Sequence, residues 1–211
     1  MLVSSVARGK EYNHACRSPA IALRQRPLNM ALGIPGFSAP TAGFEVPLEM
    51  LAACHGRIRS QCSTLLRLRS HVTSVGADAA ARDAARGVIR YFDTAARDHH
   101  EDEEQDLFPA LLESMAGSDP VCLRELIESL KNDHRQLECL WGTVRAWLAA
   151  VEGGEAAPHE GAQIDAFVDL YEQHGAREQR ELFPMAERLL GSGELERIGR
   201  SMRLRRGITS I

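Results

Sequence analysis

Two histidine–glutamate pairs carry the chemistry of this sequence. His99 is followed one helical turn later by Glu103, and His174 by Glu178. Both pairs run into the same ending, Leu107-Phe108-Pro109 and Leu182-Phe183-Pro184. An imidazole and a carboxylate four residues apart share one face of an α-helix, and both are metal donors. Upstream of each pair stands another histidine in a matching frame, Leu51-x-x-x-His55-x-x-Ile58 and Leu130-x-x-x-His134-x-x-Leu137, and Phe92 and Phe167 precede the motif histidines at equal spacing. A repeat of this length reads as a duplicated helix pair rather than a solenoid array. The unit is one His helix followed by one His/Glu helix.

The elements that must position these residues are legible in the apolar pattern. From Pro47, the residues Leu48, Leu51, His55, Ile58, Cys62, Leu65 and Val72 fall at steps of three and four, which predicts a core-facing helix from about 47 to 74. Gly76 and Asp78 supply a stop and an N-cap for a second helix, about 78 to 114, which Pro109 bends or ends. Gly117-Ser118-Asp119-Pro120 is a stop, a cap and a first-turn proline, opening a stripe of Leu123, Ile127, Leu130, His134, Leu137, Trp141, Val144, Leu148 and Val151. After Gly153-Gly154 and Pro158 a fourth stripe holds Ile164, Phe167, Tyr171, His174, Glu178, Leu182 and Met185. The fold class expected is all-α, an antiparallel up-down-up-down four-helix bundle spanning residues 46–190.

Height along such a bundle can be counted from the loops. His55 lies 21 residues before Gly76 and His99 lies 23 after it, while His134 and His174 each lie 20 from Gly154. At about 1.5 Å per residue, all four imidazoles reach one layer of the interior. A lone histidine on an apolar stripe is ordinarily a hydrogen-bonded core residue. Four at one height, with Glu103 and Glu178 beside them, form a different arrangement. Uncompensated carboxylates there would cost on the order of several kcal/mol, and a bound cation would neutralise them. Six donors exceed a structural zinc site and suit two ions bridged by the glutamates, with iron or manganese favoured over zinc.

Composition bounds the alternatives. With 44% apolar residues in 211, the chain can bury one sizeable core. The net charge of −4 becomes −7 beyond residue 46, so nucleic acid is not an expected partner. Five cysteines without a Cys-x-x-Cys pair read as free, mostly buried thiols of a reducing compartment. No apolar run reaches the roughly 18 residues of a membrane span, so a cytoplasmic protein is expected. Residues 1–45, mixing arginine with proline and glycine, read as a flexible leader. Residues 191–211 read as a short helix and a basic tail, solvated or in contact with an anion or partner.

The sequence resembles the hemerythrin HHE cation-binding family through His55, the His99-x-x-x-Glu103-Glu104-x-x-Leu107-Phe108-Pro109 segment, His134 and His174-x-x-x-Glu178. The resemblance implies a bundle holding two iron ions between its helices, with His55, His99, His134 and His174 as terminal ligands and Glu103 and Glu178 as bridges. It also implies a small oxidant as partner, whether dioxygen, peroxide or nitric oxide. Two departures stand out. The oxygen carriers of the family have a second histidine one turn after the third-helix histidine, where this chain has Glu138, and an aspartate five residues beyond the fourth-helix histidine, where this chain has Glu178 at four. Reversible oxygen carriage is therefore disfavoured relative to peroxidase-like or catalase-like turnover, or to an iron- or oxygen-responsive sensor. Glu138 is either a seventh ligand or an ion-pair partner of Arg59. His100 and Glu104, one residue past the motif, are read as a solvated face or as support for the ligands, with Glu101, Asp102 and Asp106 on the same acidic exterior. Tyr171 either packs or donates a hydrogen bond at the metal.

Overall fold

Four long helical runs pack side by side so that each touches its neighbours in sequence and the fourth returns to the first. The computed structural model describes residues 43–115, 121–156, 158 and 161–208. Helix α1 spans Pro47–Val75. Helix α2 is a continuous run of Ala79–Tyr91, a π turn at Phe92–Ala96, Arg97–Asp102, a π turn at Glu103–Leu107, and Phe108–Ser114. Helix α3 spans Val121–Glu152, and α4 comprises Gly161–Arg177, a π turn at Glu178–Leu182, and Phe183–Leu189. A shorter helix α5, Ser192–Arg205, follows. The four stripes expected from the sequence are the buried faces. Asp78 caps α2 as its residue type foretells, accepting from the Ala81 N–H at 2.8 Å. The expected caps at 117–120 and the leader up to residue 42 lie outside the described residues.

Pro109 and Pro184 do not end their helices, which continue through Phe108–Ser114 and Phe183–Leu189. A proline inside a helix lacks an N–H and crowds the carbonyl four residues back. Here the preceding turn widens instead: the N–H of Phe108 bonds the carbonyl of Glu103, and that of Phe183 bonds the carbonyl of Glu178, each one residue longer than an α-helical bond. The repeated Leu-Phe-Pro ending thus makes a π turn that begins on each glutamate of the motif. The third π turn has no proline. There the Thr94 hydroxyl donates to the Arg90 carbonyl at 2.6 Å.

The core is divided. One apolar cluster, with Leu65, Val88, Leu148 and Phe167, fills one end of the bundle, and another, with Leu51, Phe108, Leu130 and Leu182, fills the other. Between them, on every long helix, lies the stretch that carries the histidines and glutamates. Two of the described cysteines, Cys54 and Cys62, are buried, and Cys122 and Cys139 are exposed, so the expectation of mostly buried thiols holds for half of them. Burial pushes the Cys62 thiol up to about 12.

Helix α5 corrects the expectation of a solvated tail. It buries Ile198 and Met202 in the second cluster, and Arg205 and Arg206 both pair with Asp102, which is fully buried rather than part of an acidic exterior. Arg205 also reaches Asp106 at 2.8 Å. The segment before α1 locks over this helix. The Phe44 carbonyl occupies the space a Cβ at position 199 would need, so only glycine fits there, and Glu45 pairs with Arg203 at 2.8 Å. Removing both arginines strands a buried carboxylate. The double variant Arg205→Ala, Arg206→Ala is expected to lose about 3–5 kcal/mol of stability in urea unfolding. An unchanged midpoint would show that Asp102 does not depend on α5.

Candidate metal centre

The layer between the two apolar clusters contains His55, His99, Glu103, His134, His174 and Glu178, all buried and all from the sequence-derived set. Each long helix supplies its share, α1 and α3 one histidine apiece and α2 and α4 one histidine and one glutamate. Close packing brings α4 against α1: the His55 ring lies 3.4 Å from where a Cβ on Gly175 would stand, leaving no room for a large side chain there.

The carboxylates divide their oxygens between two pairs of histidines. Glu103 places Oε1 at 3.5 Å from His99 Nε2 and Oε2 at 3.4 Å from His134 Nε2. Glu178 places Oε2 at 2.9 Å from His55 Nε2 and Oε1 at 3.0 Å from His174 Nε2. Two overlapping donor groups result, His55–His99–Glu103–Glu178 and Glu103–His134–His174–Glu178. Within each, one ligand atom per residue lies within 4.8 Å of all the others. Both glutamates belong to both groups.

The donor atoms are buried without hydrogen bonds. Both oxygens of Glu103 and of Glu178 and both ring nitrogens of His55 and His99 have none, although several sit at ion-pair distance. Orphaned polar atoms of this number are rare in a folded interior, because each costs its desolvation without compensation. A cation would use their lone pairs, and the residues present therefore fit one.

Electrostatics follow from burial. Burial, with His55 next to it, holds His99 well below the usual imidazole range, so it is a neutral donor. Burial also lowers His134. Burial and the Glu178 charge push the Glu103 carboxyl well above the ordinary range. Burial opposes the charge on Glu178 too, but His174, His55 and His99 outweigh it and hold that carboxyl low. Burial likewise opposes the charge on His174, and Glu178 and Asp133 overcome it, lifting His174 to about 9. Burial keeps the Tyr171 phenol protonated, its pKa raised well above the usual range.

The outer nitrogens differ between the two groups. His134 Nδ1 meets Glu104 Oε1 at 2.6 Å, and His174 Nδ1 meets Asp133 Oδ2 at 3.4 Å, whereas His55 and His99 have no such partner. A carboxylate on the outer nitrogen fixes the tautomer and makes the inner one a better donor. Glu104 thus supports a ligand candidate and is not simply a solvated face. Asp133, which also binds Arg177, was not foreseen; its only signal in the sequence is its place beside a stripe histidine. His100 is half-buried and stacks on His134 with ring centroids 4.0 Å apart. Tyr171 packs against Phe92 and Phe167 and stacks near His100 at 5.8 Å. Glu138 is exposed at the rim of a neighbouring cavity, in neither donor group, and no ion pair joins it to Arg59 among the described residues.

No helix among the described residues is long and apolar enough to cross a membrane. A curated protein of Haemophilus influenzae, described only as uncharacterized, is 28% identical over 167 residues, covering 79% of this chain and 94% of that relative. The model of the hemerythrin HHE cation-binding domain matches residues 46–186, the stretch that holds all six buried donors. By that match and the donor layer it encloses, the chain belongs to the hemerythrin HHE cation-binding family.

Proposed function

We propose that the protein binds two iron ions and reacts with a small oxidant, dioxygen, peroxide or nitric oxide. The observation that carries this reading is the division of the Glu103 and Glu178 oxygens between His55/His99 and His134/His174. In this assignment the four histidines are terminal ligands and the two glutamates bridge. Nitrogen and carboxylate donors without thiolate suit iron, with manganese or zinc as weaker competitors. When bound, iron would supply the electrons and the Lewis acidity that small oxidants require.

The chain's own residues set the conditions for that chemistry. The two apolar clusters close the layer above and below, Glu104 and Asp133 orient His134 and His174, and Tyr171 keeps its proton beside His100. A sensor without turnover draws on a separate observation. Asp102, held by α5, immediately precedes Glu103, so a change at the centre has a direct route to the tail. Ferrous protein prepared without oxygen and then given peroxide separates the two readings by optical spectroscopy: repeated turnover with iron retained supports the enzyme, and one slow oxidation supports the sensor.

Loading with ferrous iron is expected to reach two ions per chain by elemental analysis. His99→Ala and His174→Ala should each lower that value, and full occupancy in both variants would defeat the assignment. Before metal enters, His174 holds a proton at neutral pH, its pKa lifted to about 9, and burial favours the protonated form of Glu103. Binding must expel these protons, so affinity should rise with pH through neutrality and level off as His174 loses its proton. Calorimetry in two buffers of different ionisation enthalpy measures the release, and a buffer-independent heat would contradict it. Glu103→Gln gives an amide that can donate to Glu178. In chelator-treated protein it should raise stability by about 1–3 kcal/mol while abolishing metal uptake.

A further inference from the structure

Beside the donor layer, α2, α3 and α4 part around a cavity of about 630 Å³, bounded by Phe92, Trp141 and Tyr171 and reaching His100 and His134. A water molecule takes about 30 Å³ of liquid, and an oxidant of two atoms takes little more. Cavities of roughly 300–1,000 Å³ are the size of organic-ligand sites. The volume is therefore far larger than the small oxidant proposed above requires.

The inner wall is aromatic and held in place. The Phe92 ring centroid lies 5.0 Å from that of Trp141 and 5.5 Å from that of Tyr171. The Trp141 indole is fixed, because its Nε1 donates to Asp93 Oδ1 at 2.9 Å while Arg145 Nε donates to the same carboxylate at 2.9 and 3.0 Å. Such rings favour another flat ring at stacking distance. The charges around the cavity mostly cancel in place. Asp93 is paired with Arg145, Glu101 with Arg97 at 3.5 Å, and Glu104 with His134 at 2.6 Å. Arg135 and Glu138 remain, both exposed at the rim. A hydroxyl accepts from a guanidinium and donates to a carboxylate, so a neutral hydroxylated molecule meets both, whereas a charged one is opposed by one of them. His100 joins this space to the centre. Its ring forms part of the cavity wall and stacks on His134 with centroids 4.0 Å apart and planes 13° apart.

We propose that the cavity binds a neutral, planar, hydroxylated aromatic molecule of the hydroquinone class, which serves as the electron donor of the centre. The binding site stands on the cavity alone, and the donor role rests on the iron reading above. A hydroquinone that becomes a quinone releases two electrons and two protons. The electrons return two ferric ions to the ferrous state by way of the stacked His100 and His134 rings, and the protons leave past the rim to water. The oxidant and the reductant thus have separate places, one at the centre and one beside it.

Naphthohydroquinone, kept free of oxygen, is the probe. Calorimetry on the metal-free, full-length protein is expected to show one saturable site, which decalindiol, the ring-saturated counterpart, does not fill. Trp141→Leu should weaken binding about tenfold, the loss of one aromatic partner, and Trp141→Phe should recover most of it. Glu138→Trp alters only an exposed rim residue and should weaken binding by obstructing the mouth, with iron uptake unchanged. In ferric protein the probe should bleach the ferric absorption, with one quinone formed for every two irons reduced. Absence of a saturable heat, equal affinity for both diols, or unchanged affinity in Trp141→Leu and Glu138→Trp alike overturns the site. Binding without reduction of the loaded iron overturns the donor role. A native chain that binds the probe and takes up no iron overturns the iron reading, and the donor role with it, while the binding site stands.

Discussion

Two carboxylates share a dry layer in the middle of a helical bundle, and most of the remaining structure answers that constraint. Glu103 and Glu178 are fully buried, and their four oxygens are unsatisfied by hydrogen bonds. A pair of like charges in such a place is strongly unfavourable unless protons or cations neutralise it. Burial and the Glu178 charge favour the protonated form of Glu103, and Glu178 and Asp133 favour a proton on His174, so protons offset charge within the layer. Burial disfavours the charged form of His99 and His134, which leaves their lone pairs free to coordinate.

The apolar clusters on either side give this layer its rigidity. Each helix enters it from one cluster and leaves into the other, so the four backbones are anchored above and below the donors. Stability and function pull in opposite directions within a few residues, and the large leucine- and phenylalanine-rich ends offset the unsatisfied middle. The π turns add a local device, since widening the backbone directly after each glutamate accommodates Pro109 and Pro184 without breaking the helix that holds the ligand candidate.

Much of this was legible because it depends on period and spacing. The stripes placed the four helices, and counting from the loops put His55, His99, His134 and His174 at one height, where the structure has them. The glutamates followed from their place one turn beyond two of those histidines. What escaped the sequence depends on contacts between distant segments. Asp102 looked like its acidic neighbours, and only the approach of α5 reveals it as buried and paired. The tail looked solvated because Arg203, Arg205 and Arg206 are charged, although the partners that absorb those charges lie a hundred residues upstream or in the segment before α1. Whether Pro109 would bend or end its helix stayed open, since residue type alone does not say that the preceding turn can widen and let the helix continue. Glu138 and Arg59, equally plausible as partners on paper, do not meet.

The pairing of Asp102 with Arg205 and Arg206 has a consequence for how the molecule is made. The family match ends at residue 186, so the four helices that carry the donors are synthesised before the arginines that neutralise Asp102. A nascent chain leaving the ribosome would hold an uncompensated charge next to Glu103 until residue 206 had emerged. Docking of α5 is thereby the step that lets Asp102, and the helical turn that carries Glu103, be buried with the charge compensated.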